Sequence, residues 1–362
     1  MRQGVTIRTV NSSAVQKKQT PASREAAETG TATLAEIARE AGVSAPTVSK
    51  VLNGRADVAP ATRERVEELL RRHGYQRRRA NTAAIPLLEL VFHELESAWS
   101  MEVIRGVENV AREEGLSLVL SEHAGQLSIG QSWVDGVLAR RPTGVILVLS
   151  GLDAAQQAQL TSRDIPFVVM DPAGDPGDDV PAIGATNWQG GLAATRHLLE
   201  LGHRRIGVIA GPAGMMCSRA RIDGYRAALE TAGVAFDPAL IREGTFHHES
   251  GHAAGLELLR LPDRPTAVFA GNDLQALGLY EAARELGLRI PDDLSVVGFD
   301  DLPLARWVGP PLTTVRQPLV EMAEAAARLT LDLARGKKPA TPRMDLATRL
   351  VVRSSTAAPA ER

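Results

Sequence analysis

Between residues 33 and 73 apolar side chains recur at helical spacing three times in succession. Leu34, Ile37 and Ala38 fall at i, i+3 and i+4 and predict a short first helix. Gly42 ends it, because a residue without Cβ takes the left-handed conformation at little steric cost. Val48, Val51 and Leu52 form the stripe of a second helix opened by Ser44, and Val66, Leu69 and Leu70 that of a third between Pro60 and Gly74. The outer face of the second helix carries Ala45, Pro46, Thr47, Ser49, Lys50 and Asn53. These residues are short, polar or cationic, which suits close approach to phosphates and base edges. The pattern predicts an N-terminal all-α helix-turn-helix domain.

From about residue 87 the pattern changes to apolar runs of strand length alternating with amphipathic helices. Strands are predicted at 88–92, 116–120, 144–149, 167–170, 182–185, 205–210, 267–270 and 294–299, with helices at 101–114, 188–201, 219–232, 250–259, 273–286 and 319–334. Continuous Val/Ile/Leu strands with helical crossovers imply parallel sheets covered on both faces. The strands are too many for one ordinary open sheet and divide near 184–190. The expected core is therefore α/β: two doubly wound parallel-sheet subdomains with a cleft between them.

Charge sharpens the division. The chain of 362 residues has a formal net charge of −2, but residues 31–80 carry +4, residues 1–30 carry +3 and the remainder carries −9. A basic run beside a helix-turn-helix reads as a phosphate track, so double-stranded DNA is the expected partner of the N-terminal end. A single cysteine, Cys217, excludes a disulfide framework within the chain and any Cys-based zinc site. No apolar run reaches the ~20 residues of a membrane span, so no membrane partner is expected. Residues 1–30 lack a secretory apolar stretch and read as a disordered extension. The expected location is the cytoplasm.

In doubly wound sheets ligands bind beyond the carboxyl ends of the strands. Here those positions are polar: Glu94 with Trp99, Asp171, Asn187 with Trp188, Asn272-Asp273 and Asp300-Asp301. Arg221 opens a helix after the Gly211–Gly214 turn, and Phe246 ends an extended segment. Carboxylates that accept paired hydroxyls, a forked Arg donor, an amide and flat aromatic faces together describe a carbohydrate site. Taken singly, Asp and Asn at strand ends also serve as turn formers and helix caps, and Asn272-Asp273 could simply cap the following helix.

Catalytic readings find less support. The glycines of Gly207-Val-Ile-Ala-Gly-Pro-Ala-Gly214 lack dinucleotide-loop spacing, Pro212 removes a donor, and no Walker lysine follows. There is no G-x-S-x-G elbow. His247, His248, His252 and Glu249 read as solvated or capping groups rather than a metal site. No catalytic residue, metal or cofactor is expected.

The chain resembles the lactose-repressor (LacI/GalR) family of bacterial transcription regulators from about Thr33 to Ser355. The resemblance rests on Ala41-Gly-Val-Ser-Ala-Pro-Thr-Val-Ser-Lys-Val-Leu-Asn53, Leu201-Gly-His-Arg-Arg-Ile-Gly207, Pro265-Thr-Ala-Val-Phe-Ala-Gly-Asn-Asp273, Ile290-Pro-Asp-Asp-Leu-Ser-Val-Val-Gly-Phe-Asp-Asp301 and Pro311-Leu-Thr-Thr-Val-Arg-Gln317, in that order. It implies a homodimer on a palindromic operator and a core like periplasmic sugar-binding proteins, with a small effector, a mono- or oligosaccharide, modulating DNA affinity. The implied division is a helix-turn-helix domain at 31–75, a hinge at 76–86, a core at 87–356 and a tail at 357–362. Within the core, 87–184 joins 317–346 and 185–316 joins 347–356. Effector contacts are implied at Asp171, Arg221, Asn272 and Asp300, with Trp99 and Phe246 as aromatic walls and Gln317 as a further polar contact. DNA contacts are implied at Thr33, Ser44, Ala45, Pro46, Thr47, Ser49, Lys50, Asn53 and Thr62. The family's Pro-Asn hinge start is absent after Tyr75, and Ala84 stands where a wedging leucine is usual. Arg77, Arg78 and Arg79 are expected to supply phosphate or narrow-groove contacts instead. A purine or nucleoside effector, a protein corepressor and, in another class, a free sugar-binding protein are the alternatives.

Overall fold

The computed structural model describes residues 33–52, 58–73, 86–95, 97–123 and 129–360. The extension expected over 1–30, Asn53, the triplet Arg77, Arg78 and Arg79, and the hinge up to residue 85 lie outside the described residues. The chain divides into two units, an N-terminal head and a core.

In the head, Thr33 opens α1 (Leu34–Ala41) with a capping box: its hydroxyl accepts from Glu36 N–H, and the Glu36 carboxylate accepts from Thr33 N–H at 2.6 Å. Gly42, at φ 66°, ends the helix. Ser44 then starts α2 (Ala45–Leu52), its Oγ accepting from Thr47 N–H. Pro60 occupies the first turn of α3 (Pro60–Arg72), where a missing N–H costs nothing. Ile37, Ala38, Ala41, Val48, Val51, Val66 and Leu69 close a small core among the three helices.

The core contains two sheets of one design. The first half runs β1 (Leu87–Phe92), α4 (Ala98–Glu113), β2 (Ser117–Glu122), α5 (Gln131–Arg140), β3 (Gly144–Val148), α6 (Ala154–Thr161), β4 (Phe167–Met170) and β5 (Ala182–Ala185). The second runs α7 (Asn187–Glu200), β6 (Ile206–Ala210), α8 (Met216–Thr231), β7 (Ile241–Glu243), α9 (His248–Leu259), β8 (Ala267–Ala270), α10 (Asp273–Glu285), β9 (Ser295–Asp300) and β10 (Thr313–Arg316). The chain then returns, placing α11 (Leu319–Ala334) on the first half, β11 (Arg343–Leu346) beside β5 and β12 (Arg349–Val351) antiparallel to β10. The spatial orders are β11-β5-β4-β3-β1-β2 and β12-β10-β9-β8-β6-β7. Because central strands such as β1 and β3 are buried on both faces, successive residues feed opposite cores: Leu90 and Ile146 pack towards α4 and α11, Val91 and Val145 on the other side. Val268 and Phe269 divide in the same way in the second sheet.

The halves are joined by three neighbouring crossings, after β5, after β10 and between β11 and β12. Two of them are laced together. Thr348 N–H donates to Thr186 Oγ1 at 2.9 Å, and the Thr348 hydroxyl donates to the Thr186 carbonyl at 3.0 Å.

Candidate functional site

Strand order reverses between β1 and β3 in one sheet and between β6 and β8 in the other. At such switch points the loops leave in opposite directions and open a crevice. In this core the crevices of the two halves meet in a cavity of about 450 Å³. Its wall includes the residues that follow those strands: His93 and Glu94, Leu149, Pro212 and Asn272. Asp171, Arg221, Phe246, Asp300 and Trp99 also line it. Six of the seven effector positions implied by the sequence therefore share one cavity. The seventh, Gln317, lies behind the wall at the second crossing and is 2% exposed.

Arg221 organises the site. Gly191 has no Cβ, and one placed there would lie 2.1 Å from the Arg221 carbonyl, so α7 and α8 can meet backbone to backbone. That contact brings Asn187 to Arg221: Nε donates to Asn187 Oδ1 at 2.9 Å, Nη1 to the Gly271 carbonyl at 2.6 Å and Nη2 to Gln317 Oε1 at 3.2 Å. The guanidinium stacks on Phe299, 3.7 Å from the ring centre, with Phe246 at 5.7 Å on another side. Phe246 occupies its place only because residue 211 is glycine, since a Cβ there would fall 2.0 Å from the ring.

Two carboxylates face this cation. Asp300 Oδ1 is 3.9 Å from Arg221 Nη2 and accepts no hydrogen bond from the described residues, although it is buried. Burial raises the Asp300 carboxyl well above the usual carboxylate range; Arg221 opposes the shift, and Asp273 and Asp171 add to it. Burial also raises Asp171, against the pull of Arg221 and a hydrogen bond from Gln317. Leu149, Asp171, Phe246 and Asp300 all hold positive φ, from 49° to 106°, so backbone strain gathers at the cavity wall.

Asn272 fulfils both of its sequence readings. It lines the cavity, yet its Oδ1 caps α10 by accepting from Gln275 N–H, and its Nδ2 donates to the Phe246 carbonyl at 2.8 Å. Asp273 turns away, accepting from the Thr314 hydroxyl and Leu302 N–H. Asp301 pairs with Arg353. Trp188 is 41% exposed and outside the cavity wall. His247 holds the N-cap position of α9 without a side-chain capping bond, and it also sits on the cavity wall, with Nε2 3.1 Å from Glu94 Oε2 on the opposite half. His248 and His252 pair with Glu281 and Glu285. No cluster of three candidate metal ligands occurs among the described residues. Cys217 is buried in the wall, and burial, with Asp171 second, pushes its thiol up to about 12.

Sequence reasoning missed His93, Ser97, Met215 and Thr245, which also line the cavity. For His93 a signal existed, since it is the first residue after β1.

On the head, Ser44, Ala45, Pro46 and Lys50 are exposed, and Thr47 and Ser49 half-buried, along the outer side of α2. Thr33 is exposed and Thr62 half-buried at the starts of α1 and α3. Thr33 already uses its hydroxyl and N–H in the capping box.

Residues 33–78 match the bacterial regulatory proteins, lacI family, and residues 195–356 match the periplasmic binding protein-like domain. Over 333 residues the chain is 34% identical to the HTH-type transcriptional repressor CytR of Escherichia coli (strain K12), covering 90% of this chain and 97% of that one. Among solved structures it is similar to a transcriptional regulator CelR–cellobiose complex, with a TM-score of 0.68 and 35% identity over 90% of this chain and 99% of the other. It is also similar to the lac repressor dimer bound to operator and the anti-inducer ONPF, with a TM-score of 0.66 and 28% identity over 91% and 100% of the two chains. No helix among the described residues is long and apolar enough to cross a membrane.

Proposed function

The chain belongs to the lacI family of bacterial regulatory proteins, and on that premise we propose a dimeric repressor of carbohydrate-metabolism genes whose operator affinity is set by a small sugar in the core cleft. The observation that carries the sugar reading is the balance of donors and acceptors in the cavity. Arg221 gives three N–H groups to protein acceptors, and a guanidinium has five. Beside it stand two buried carboxylates, one with an oxygen that receives no donor from the described residues. Neighbouring hydroxyls satisfy both demands at once, donating to Asp300 and Asp171 and accepting from Arg221. A phosphorylated ligand would call for more cations. The cellobiose in the similar CelR structure supports a sugar, and the lac repressor dimer on its operator supports a dimer on DNA.

In this reading Trp99, Asp171, Arg221, Phe246, Asn272 and Asp300 form the effector site, with Gln317 behind it. Gln317 lies at a crossing between the halves and accepts from Arg221, so a ligand that engages Arg221 biases the angle between the halves. The angle in turn alters the DNA-bound population; such coupling amounts to ~1–3 kcal/mol. DNA is met by Ala45, Pro46, Thr47, Ser49 and Lys50 on α2, by Thr33, Ser44 and Thr62 at helix starts, and by Asn53, Arg77, Arg78 and Arg79. Ala45 and Pro46 suit thymine methyls, and Lys50 is the hydrogen-bonding reader. The cleft is read as a binding site, as in a transcription regulator, and burial makes its one thiol a poor nucleophile. The protein acts in the cytoplasm, where its operator is.

The test is fluorescence anisotropy on duplexes selected from the source genome, with and without sugars that raise the melting temperature. Lys50→Ala is expected to weaken operator binding at least tenfold and to lower the salt slope by about 1, with the sugar-induced melting shift retained. A folded sample that binds no duplex at low salt overturns the reading.

A further inference from the structure

Resting on the sugar reading above, we propose that the cleft is built for two sugar rings: an inner ring on the Arg221–Asp300 pair and an outer ring on Trp99, His93, Glu94 and His247. The wall falls into two zones of different depth. Arg221 and Asp300 are 5% and 4% exposed, whereas the side chains of Glu94 and His247 are 37% and 38% exposed. Both zones line the same cavity of about 450 Å³. That volume lies within the ~300–1,000 Å³ of pockets that enclose drug-sized ligands, and a single pyranose leaves much of it unfilled.

Among the described residues, two buried polar atoms of wall residues have no partner, and they belong to opposite halves. One is Asp300 Oδ1, after β9; the other is His93 Nδ1, after β1. An unpaired buried polar atom is costly, and these two lie on cavity-lining residues, where a ligand group can supply the missing partner. The outer zone also defines the chemistry of what fills it. Trp99 offers a flat face whose negative quadrupole suits the weakly positive C–H side of a sugar ring. Glu94 accepts hydroxyl donors, and the imidazoles can donate or accept. An alkyl or aryl substituent in this zone would leave His93 Nδ1 without a partner. A second sugar ring matches His93 and Glu94 alike.

Position gives the outer ring a further role. Glu94 and His247 come from opposite halves and meet at 3.1 Å, so a ring held there touches both jaws and closes the mouth behind the inner ring. The outer zone thus selects for ligand length as well as for hydroxyls.

The experiment is calorimetric titration of the full chain with matched pairs: D-glucose and cellobiose, D-xylose and xylobiose, D-galactose and lactose. The best disaccharide is expected to bind at least tenfold more tightly than its component monosaccharides. Glu94→Gln and Trp99→Ala should each cut that ratio to threefold or less, and Trp99→Phe should keep most of it, with a cooperative melt confirming that each variant is folded. A monosaccharide that binds within threefold of its disaccharide, or a ratio unchanged in both variants, overturns the two-ring inference. If such a monosaccharide also changes operator affinity, the sugar reading stands and only the outer subsite is lost. If no sugar of either size binds a folded sample, both readings fall.

Discussion

The head and the cleft present polar groups in opposite ways. On α2 the outward residues Ala45, Pro46 and Lys50 are exposed, and the helix is held by local caps and a small apolar core. In the cleft Arg221, Asp171 and Asp300 are 5%, 5% and 4% exposed, and Arg221 is fixed by Asn187, Gly271 and Gln317. A surface that reads a polyanion gains from long-range charge, which salt screens, and its side chains can change with little effect on the fold. A buried site gains from desolvation, so each group that recognises ligand is also part of the packing. Changes in the head should therefore separate binding from stability, and changes in the cleft should not.

The severest test is Arg221→Ala. It leaves Asp171 and Asp300 buried without their counter-charge, and removing one partner of a buried pair typically costs ~3–5 kcal/mol. Urea unfolding at neutral pH should show that loss together with loss of the sugar response. A loss below about 1 kcal/mol would place the site in the same class as the head.

Asp273 sharpens the point through pH. Burial pushes its carboxyl up to about 7, against hydrogen bonds from Thr314 and Leu302; Asp301 adds to the shift and Arg353 opposes it. The folded-state value lies above the unfolded one, so the fold disfavours the ionised form. The penalty is absent below about pH 4, grows as pH rises towards 7 and is constant above. Asp273→Asn should remove that slope. Its stability relative to wild type should be greater at pH 8 than at pH 5 by roughly 2 kcal/mol, read from urea midpoints at the two pH values.

The mildest change is Ser44→Ala. Loss of the Oγ that accepts from Thr47 N–H should cost the head ~1 kcal/mol. Faster hydrogen exchange at Thr47, with the amides of β9 unchanged, would confirm that the effect stays local.

The sequence was legible where burial makes long uniform patterns. The runs that became β1, β3 and β9 read directly as strands, because both faces of each are covered. The short strands β7, β10, β11 and β12 did not stand out. Ile241-Arg-Glu243 and Arg343-Met-Asp-Leu346 carry charges because they border the sheets, and only their neighbours make them strands. In the cleft, the rule that ligands gather at strand ends found Asp171, Asn272 and Asp300. It could not reveal that Asn272 has its amide engaged by backbone, or that His247 meets Glu94, because those facts depend on packing between distant segments.

The laced crossings at Thr186 and Thr348 carry a consequence for signalling. Three adjacent connections oppose sliding of the halves more than bending, so the proposed response to ligand is read as a change of angle. In the proposed reading, whatever chemistry occupies the cavity, the information it sends onward is one scalar, an angle. Effectors of different structure can then be graded by a common output, and a substitution at the crossings would alter the gain of the response for all of them alike.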